Sequence, residues 1–300
     1  MKKVFLFVAL MGMMAASCST ESRDVVDNAQ TAVAVAPVRV CVNGFSVSQG
    51  AFAETRADPT AIGDYANLKS LTLAFYKGSD EVYKHVQYKN DASTFTTFGE
   101  FSTSLPMGSY TMVVIGSSAA DASGNISLTG VDAASYSGAV KETFWAKQTV
   151  TVSNTTAQEL SATLDRIIAT VTVVSTDGRT ADARTVRTIF HAGGKTIDPT
   201  TGLATVNTGF TADLIPSAAV GVATTSTNGL FLATDEQTMD ITVQTLDADG
   251  NVLFSKVVKD VPLKRNRQTT LTGVMYSPAD VSAGSFTVNT DWLPSNTVEF

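Results

Sequence analysis

Cysteine is almost missing from this chain: Cys18 and Cys41 are the two thiols in 300 residues. A disulfide framework of the sort that staples small secreted folds is therefore not expected. Histidine is equally scarce, with His85 and His191 far apart in sequence. Neither belongs to an H-E-x-x-H pattern, and no G-x-S-x-G or P-loop pattern appears. Cys41 has no activating neighbour in its strand. A Ser-His-Asp arrangement is spatial, so sequence leaves it open without giving any sign of one. We expect no catalytic residue, no cofactor and no metal. Charge is thin as well, with 16% charged residues and a net charge of -7. The largest basic run is Lys264, Arg265 and Arg267, far short of the basic face that a nucleic-acid binder carries. Hydrophobic residues make up 44%, which fits a folded chain and excludes disorder.

What is present begins with a leader. Met1, Lys2 and Lys3 are followed by an apolar run from Val4 to Met14, broken only by Gly12. A membrane-spanning helix needs about 20 apolar residues, so this run has instead the length of a signal-peptide core. Ala15, Ala16 and Ser17 are small and precede Cys18. The segment is similar to a bacterial lipobox, with Ala15 where Leu is more usual. Residues 1–17 read as a lipoprotein signal peptide and Cys18 as the lipidation site. We expect the mature protein to hang from a membrane by the lipid on Cys18. The alternative is an ordinary cut near Ala16 with Cys18 incidental. Residues 18–36 lack a clear amphipathic period and read as a tether.

The rest reads as all-β. Val38, Val40 and Val42 alternate with Arg39, Cys41 and Asn43, and the phase changes at Asn43-Gly44, where a bulge is expected. Further strand patterns run over Leu71–Tyr76, Val82–Tyr88 as its hairpin return, Phe95–Leu105, Tyr110–Ile115 and Phe144–Val152. A second set starts near Leu160, with alternation from Ile167 to Val174, then Val186–Phe190, Leu230–Ala233, Met239–Leu246, Val252–Lys259, Thr269–Gly273 and Ser285–Trp292. Ala119–Ser137 and Gly193–Thr208 read as loops, and Ser217–Ala223 as a helical turn at most. Two sets of short strands predict two β-sandwich domains, residues 37–160 and 161–300, over one large sandwich.

Several features have plain readings beside sharper ones. Asp247, Asp249 and Asn251 around Gly250 suit a hairpin turn, and lack the spacing and terminal Glu of a calcium loop. Lys264–Arg267 reads as a solvated turn, or as a charged partner surface. His85 falls on the expected solvated face of its strand. With Tyr76, Tyr83 and Tyr88 it forms either a ligand-binding face or cross-strand pairs that stabilise a sheet. Trp145 and Trp292 read as core residues.

Four segments carry a family resemblance. Asp260–Gly273 (DVPLKRNRQTTLTG), Leu164–Val173 (LDRIIATVTV), Leu105–Val114 (LPMGSYTMVV) and the terminal Phe286–Trp292 strand with Val298-Glu299-Phe300 together resemble the fimbrillin family, the type V pilus subunits of Bacteroidetes. The resemblance implies two tandem transthyretin-like β-sandwich domains. It also implies a structural or adhesive fimbrial subunit whose partners are other fimbrial subunits, joined by β-strand donation, and host or bacterial surface receptors. In polymerising members a protease cuts after an Arg in the first domain and frees the first strand. Arg56, in the polar loop Glu54–Asp58, is the matching candidate cleavage site. The competing class is a non-polymerising surface lipoprotein that binds glycans or host proteins through sandwich loops.

Overall fold

The computed structural model describes residues 33–46, 62–277 and 286–289. The described residues from Ala34 onward form one compact unit. The strands in chain order are β1 (Val35–Ser46), β2 (Ser70–Lys77), β3 (Asp80–Tyr88), β4 (Glu100–Pro106) and β5 (Gly108–Ser117). Two short strands follow, β6 (Ser127–Gly130) and β7 (Ala133–Ser135), before β8 (Thr143–Val152) and β9 (Gln158–Arg166). The chain continues with β10 (Ala169–Ser175) and β11 (Thr185–Phe190), then the short β12 (Thr196–Asp198) and β13 (Leu203–Ala204). It ends with β14 (Phe210–Leu214), β15 (Thr225–Leu230), β16 (Glu236–Leu246), β17 (Val252–Lys264), β18 (Gln268–Gly273) and β19 (Thr287–Asn289).

Alternation puts every second side chain of a strand on one face, and the apolar faces close on each other. In the first half the sheet runs β3-β2-β5-β8-β9-β1-β4. It turns a corner at β8/β9, which pair only at Phe144↔Arg166 and Trp145↔Asp165. The folded sheet encloses Val38, Val40 and Val42 of β1, Leu71, Leu73 and Phe75 of β2, and Met112 and Val114 of β5. The second half has two sheets, β14-β11-β16-β17 and β15-β10-β18-β19. Between them lie Val171 and Val173, Val186 and Phe190, Ile241 and Val243.

The two halves repeat one topology. β1 lies between β4, antiparallel, and β9, parallel. β10 lies between β15, antiparallel, and β18, parallel. The order β3-β2-β5-β8 matches β14-β11-β16-β17 strand for strand. Each half inserts two short strands, β6 and β7 in the first, β12 and β13 in the second. These four form one further sheet, β13-β12-β7-β6, that crosses between the halves through Thr196↔Ser135 and Ile197↔Ala134. A third apolar cluster, including Tyr76, Ile115, Tyr136, Ile167, Ile197 and Phe231, lies beside it.

Several expectations change. The segment 119–137, read as a loop, carries β6 and β7, and 193–208 carries β12 and β13. These strands are short, and the inner two, β7 and β12, find a partner in the other half. The strand expected at Phe95–Leu105 starts at Glu100, after a 3₁₀ turn over Ala92–Thr94. The one expected at Leu230–Ala233 is Thr225–Leu230. β9 crosses the expected 160/161 boundary and pairs along its length with β1 of the first half. The bulge expected at Asn43-Gly44 is present, with the β1/β9 register shifting between Val42 and Gly44.

Candidate functional site

Cys18 and Arg56, with Trp292, lie outside the described residues. The strand that follows Cys18 is described. β1 is an inner strand of its sheet, next to the edge strand β4, although it opens the fold, paired from Val35↔Pro106 to Cys41↔Glu100 on one flank and from Val38↔Gln158 to Ser46↔Asp165 on the other. Ala36, Val38, Val40 and Val42 face the core, and fully burying a valine side chain is worth about 1.5–3 kcal/mol. Removal of β1 would leave two strand edges and an apolar trough between them.

The expected His85 and tyrosine face separates into two places. A bulge near Val82 shifts the β2/β3 register between Phe75 and Tyr76. The shift exchanges the faces of the strand, as a one-residue slip must. Tyr83, His85 and Gln87 therefore turn inward, opposite Phe75, Leu73 and Leu71. His85 is half-buried, not on the solvated face that the uninterrupted pattern predicts. Tyr76 packs on the opposite face of its sheet, where burial first, then Glu81 and Asp132, push its phenol up to about 12. Tyr88 takes a hydrogen bond from the Asn125 amide at 3.4 Å. The Tyr83 and His85 rings lie with centroids 6.5 Å apart at 29°, and Phe101 of β4 meets His85 edge-on at 6.0 Å and 81°.

These rings form one wall of a cleft of about 390 Å³ that Thr96, Thr97 and Glu100 also line. The sequence reading missed the β4 side; its signal is the aromatic and threonine run Phe95–Phe101 (FTTFGEF). The Gln87 amide braces the cleft. Its Nε2 donates to the Glu100 carbonyl at 2.6 Å, and its Oε1 accepts from the Gly99 amide at 2.8 Å. Gly99 has φ +93, and a Cβ there would stand 2.7 Å from Ile62 Cγ2, so only glycine suits the position.

The expected solvated turn Lys264–Arg267 is divided. Lys264 pairs with Glu236, and Arg265 with Asp235 at 3.0 Å. Arg267 is buried, and burial pulls its guanidinium below the usual arginine value. Asn266, at φ +56, accepts from Arg166 Nη1 at 3.2 Å. Arg166 also reaches Glu142 at 2.6 Å and the Tyr65 hydroxyl at 2.9 Å, with the two charged side chains 11% and 19% exposed. It thereby ties the end of β9 to the β17/β18 turn. Trp145 Nε1 donates to the Pro199 carbonyl at 2.6 Å, a second tie between halves. Asp247 Oδ1 accepts from the amides of Asp249 and Asn251, which makes the hairpin turn expected there. His191 Nε2 bonds the Thr242 hydroxyl at 2.8 Å.

The comparisons with known proteins bear on the fold. The fold is similar to that of the fimbrial anchor protein Mfa2 of Porphyromonas gingivalis, at TM-score 0.52 and 12% identity, over 85% of this chain and 97% of that one. It is also similar to an inferred adhesin of Bacteroides ovatus, at TM-score 0.53 and 11% identity, over 87% and 96%. The likeness to the fimbrillins read from sequence is thus met at the level of fold. A comparison with curated proteins finds no match. A family model, described as a family of unknown function (DUF6562), matches residues 45–291, and the chain belongs to that family.

Proposed function

We propose that the protein is a structural or adhesive subunit of a surface fimbria, exported as a lipoprotein on Cys18 to the outer membrane. Its organisation is a leader, a tether and two sandwich domains, with the passage between domains at residues 166–169. Assembly proceeds by strand donation: a strand from a neighbouring subunit takes the place of β1, after cleavage at Arg56 releases it. The observation that carries the reading is the position of β1, first in the fold yet paired on both flanks. A single cut after it frees a trough that offers unpaired N–H and C=O groups and an apolar floor. The likeness to a fimbrial anchor protein supports the fimbrial setting.

The test has two parts. N-terminal sequencing of the mature protein on cells should find a start at Ala57 beside one at Cys18. Purified Ala57–Phe300 should form SDS-resistant ladders, while the chain that keeps β1 stays monomeric. A start at Cys18 alone points to an anchoring subunit that keeps its lipid. Strict monomers in both forms would overturn strand donation and favour the binding lipoprotein, a reading that the cleft beside β3 supports.

A further inference from the structure

The inner face of β3 departs from a pattern that its counterpart keeps. In the first half the cross-strand pairs are Phe75↔Tyr83, Leu73↔His85 and Leu71↔Gln87. In the second they are Phe190↔Phe210, Thr188↔Ala212 and Val186↔Leu214. Phe210, Ala212 and Leu214 pack onto their core, as an edge strand that only closes a sandwich requires. β3 presents a phenol, an imidazole and an amide at the same places; Tyr83 still packs on its core, with Phe75 at 6.2 Å between ring centroids, so His85 and Gln87 make the departure. Inward polar groups can guard a sheet edge against unwanted pairing. That role needs no cavity, whereas here a cleft of about 390 Å³ opens beside them, in the size range of small-ligand sites.

The chemistry of the cleft narrows the ligand. Tyr83 and His85 set two rings side by side, closed at one end by Phe101. Thr96 and Thr97 bring hydroxyls and Glu100 a carboxylate. Glu100 is paired with Arg39 at 2.9 Å, so the cleft has no uncompensated charge for a phosphate or a polyanion. Gln87 is 1% exposed and spends both ends of its amide on the β4 entry, which fixes the spacing of the walls before any ligand arrives. Flat aromatic faces beside hydroxyl and carboxylate groups match a pyranose ring. Its C–H face lies on the rings while its hydroxyls bond the rim.

We propose that the cleft between β3 and β4 binds a neutral saccharide of one or two hexose rings. The cleft wall β4 lies beside β1, with Val40↔Phe101 and Cys41↔Glu100 paired, so the site is tested on the chain that keeps β1, where strand donation plays no part. The test is saturation-transfer NMR on the full-length protein. The probes are the methyl glycosides of glucose, galactose and mannose, with cellobiose, maltose and lactose. At least one should bind saturably, and its affinity should fall about tenfold or more in both His85→Ala and Thr97→Val. Thr97→Val keeps the side-chain shape, and thermal unfolding confirms that each variant is folded. Lys259→Ala, on β17, should leave binding unchanged. The proposal is overturned if no probe saturates by about 10 mM, or if the bound probe is held equally by both cleft variants. Ladder formation by Ala57–Phe300 is indifferent to all of these outcomes.

Discussion

The first and second halves are built on the same strand order and differ in how their edges are finished. The second half closes its core with Phe210, Ala212 and Leu214, and adds β19 beside β18. The first half places Tyr83, His85 and Gln87 at the matching positions, and joins β8 to β9 through two residue pairs. The inner strands β1 and β10 keep equivalent neighbours in both. The core strands of this repeat are therefore the part held in common, and the edges are where the halves differ.

The strongest way to break the comparison is to cut equal holes in both cores. Phe75 and Phe190 are matched in position and 0% and 1% exposed. Replacing either with Ala should cost about 3–5 kcal/mol. If the shared sheet and third cluster couple the halves, each variant unfolds in a single transition at a lower temperature in calorimetry. Two separated transitions would show halves that melt alone. The next effect is at the junction. Arg166→Ala leaves Glu142 in a largely buried place without its cation, which should cost about 3 kcal/mol in urea unfolding.

A smaller change writes the second half into the first. Gln87→Leu copies Leu214 but strands the Gly99 amide and Glu100 carbonyl, so we expect a loss of about 2 kcal/mol despite added apolar surface. A gain in stability would mean that the brace is dispensable.

The smallest expected effect concerns the chain as it leaves β18. Asp177 accepts backbone hydrogen bonds from Met275 at 2.9 Å, Tyr276 at 2.9 Å and Ser277 at 2.8 Å. Burial raises its carboxyl, but these donors outweigh that and hold it below the ordinary value. A lowered folded value means the contribution is complete above the unfolded value of about 4 and is lost as pH falls through the folded one. Asp177→Asn should cost about 1–2 kcal/mol at neutral pH. Its deficit against the natural chain should shrink when urea unfolding is repeated in acid.

What sequence could reveal follows from how local each cause is. The β1 alternation and its bulge were legible because Val38, Val40, Val42 and Gly44 lie within seven residues of each other. The Asp247–Asn251 turn was legible because the side chain of Asp247 makes it unaided. The β3 face was misread because one extra residue near Val82 exchanges inside for outside, and that slip is set by pairing with β2. β7 (Ala-Ala-Ser) and β12 (Thr-Ile-Asp) were missed because three residues are too few to show an alternation until a partner some sixty residues away supplies their hydrogen bonds. The repeat shows in the sequence as two sets of strand patterns and not as shared residues, since register and burial survive where identities such as Leu73 and Thr188 do not. For the candidate cleft, Tyr83 and His85 were legible as a pair, but the β4 wall that completes it was not.

The sheet that crosses between the halves has a consequence for anyone who divides this molecule. A cut at residues 166–169 would give two pieces, each ending a short sheet on a bare edge, β7 on one and β12 on the other. Those edges are complementary and would seek each other again. Mixed pieces should rejoin as a split protein does, and two intact copies brought close could exchange these arms and leave with each other's.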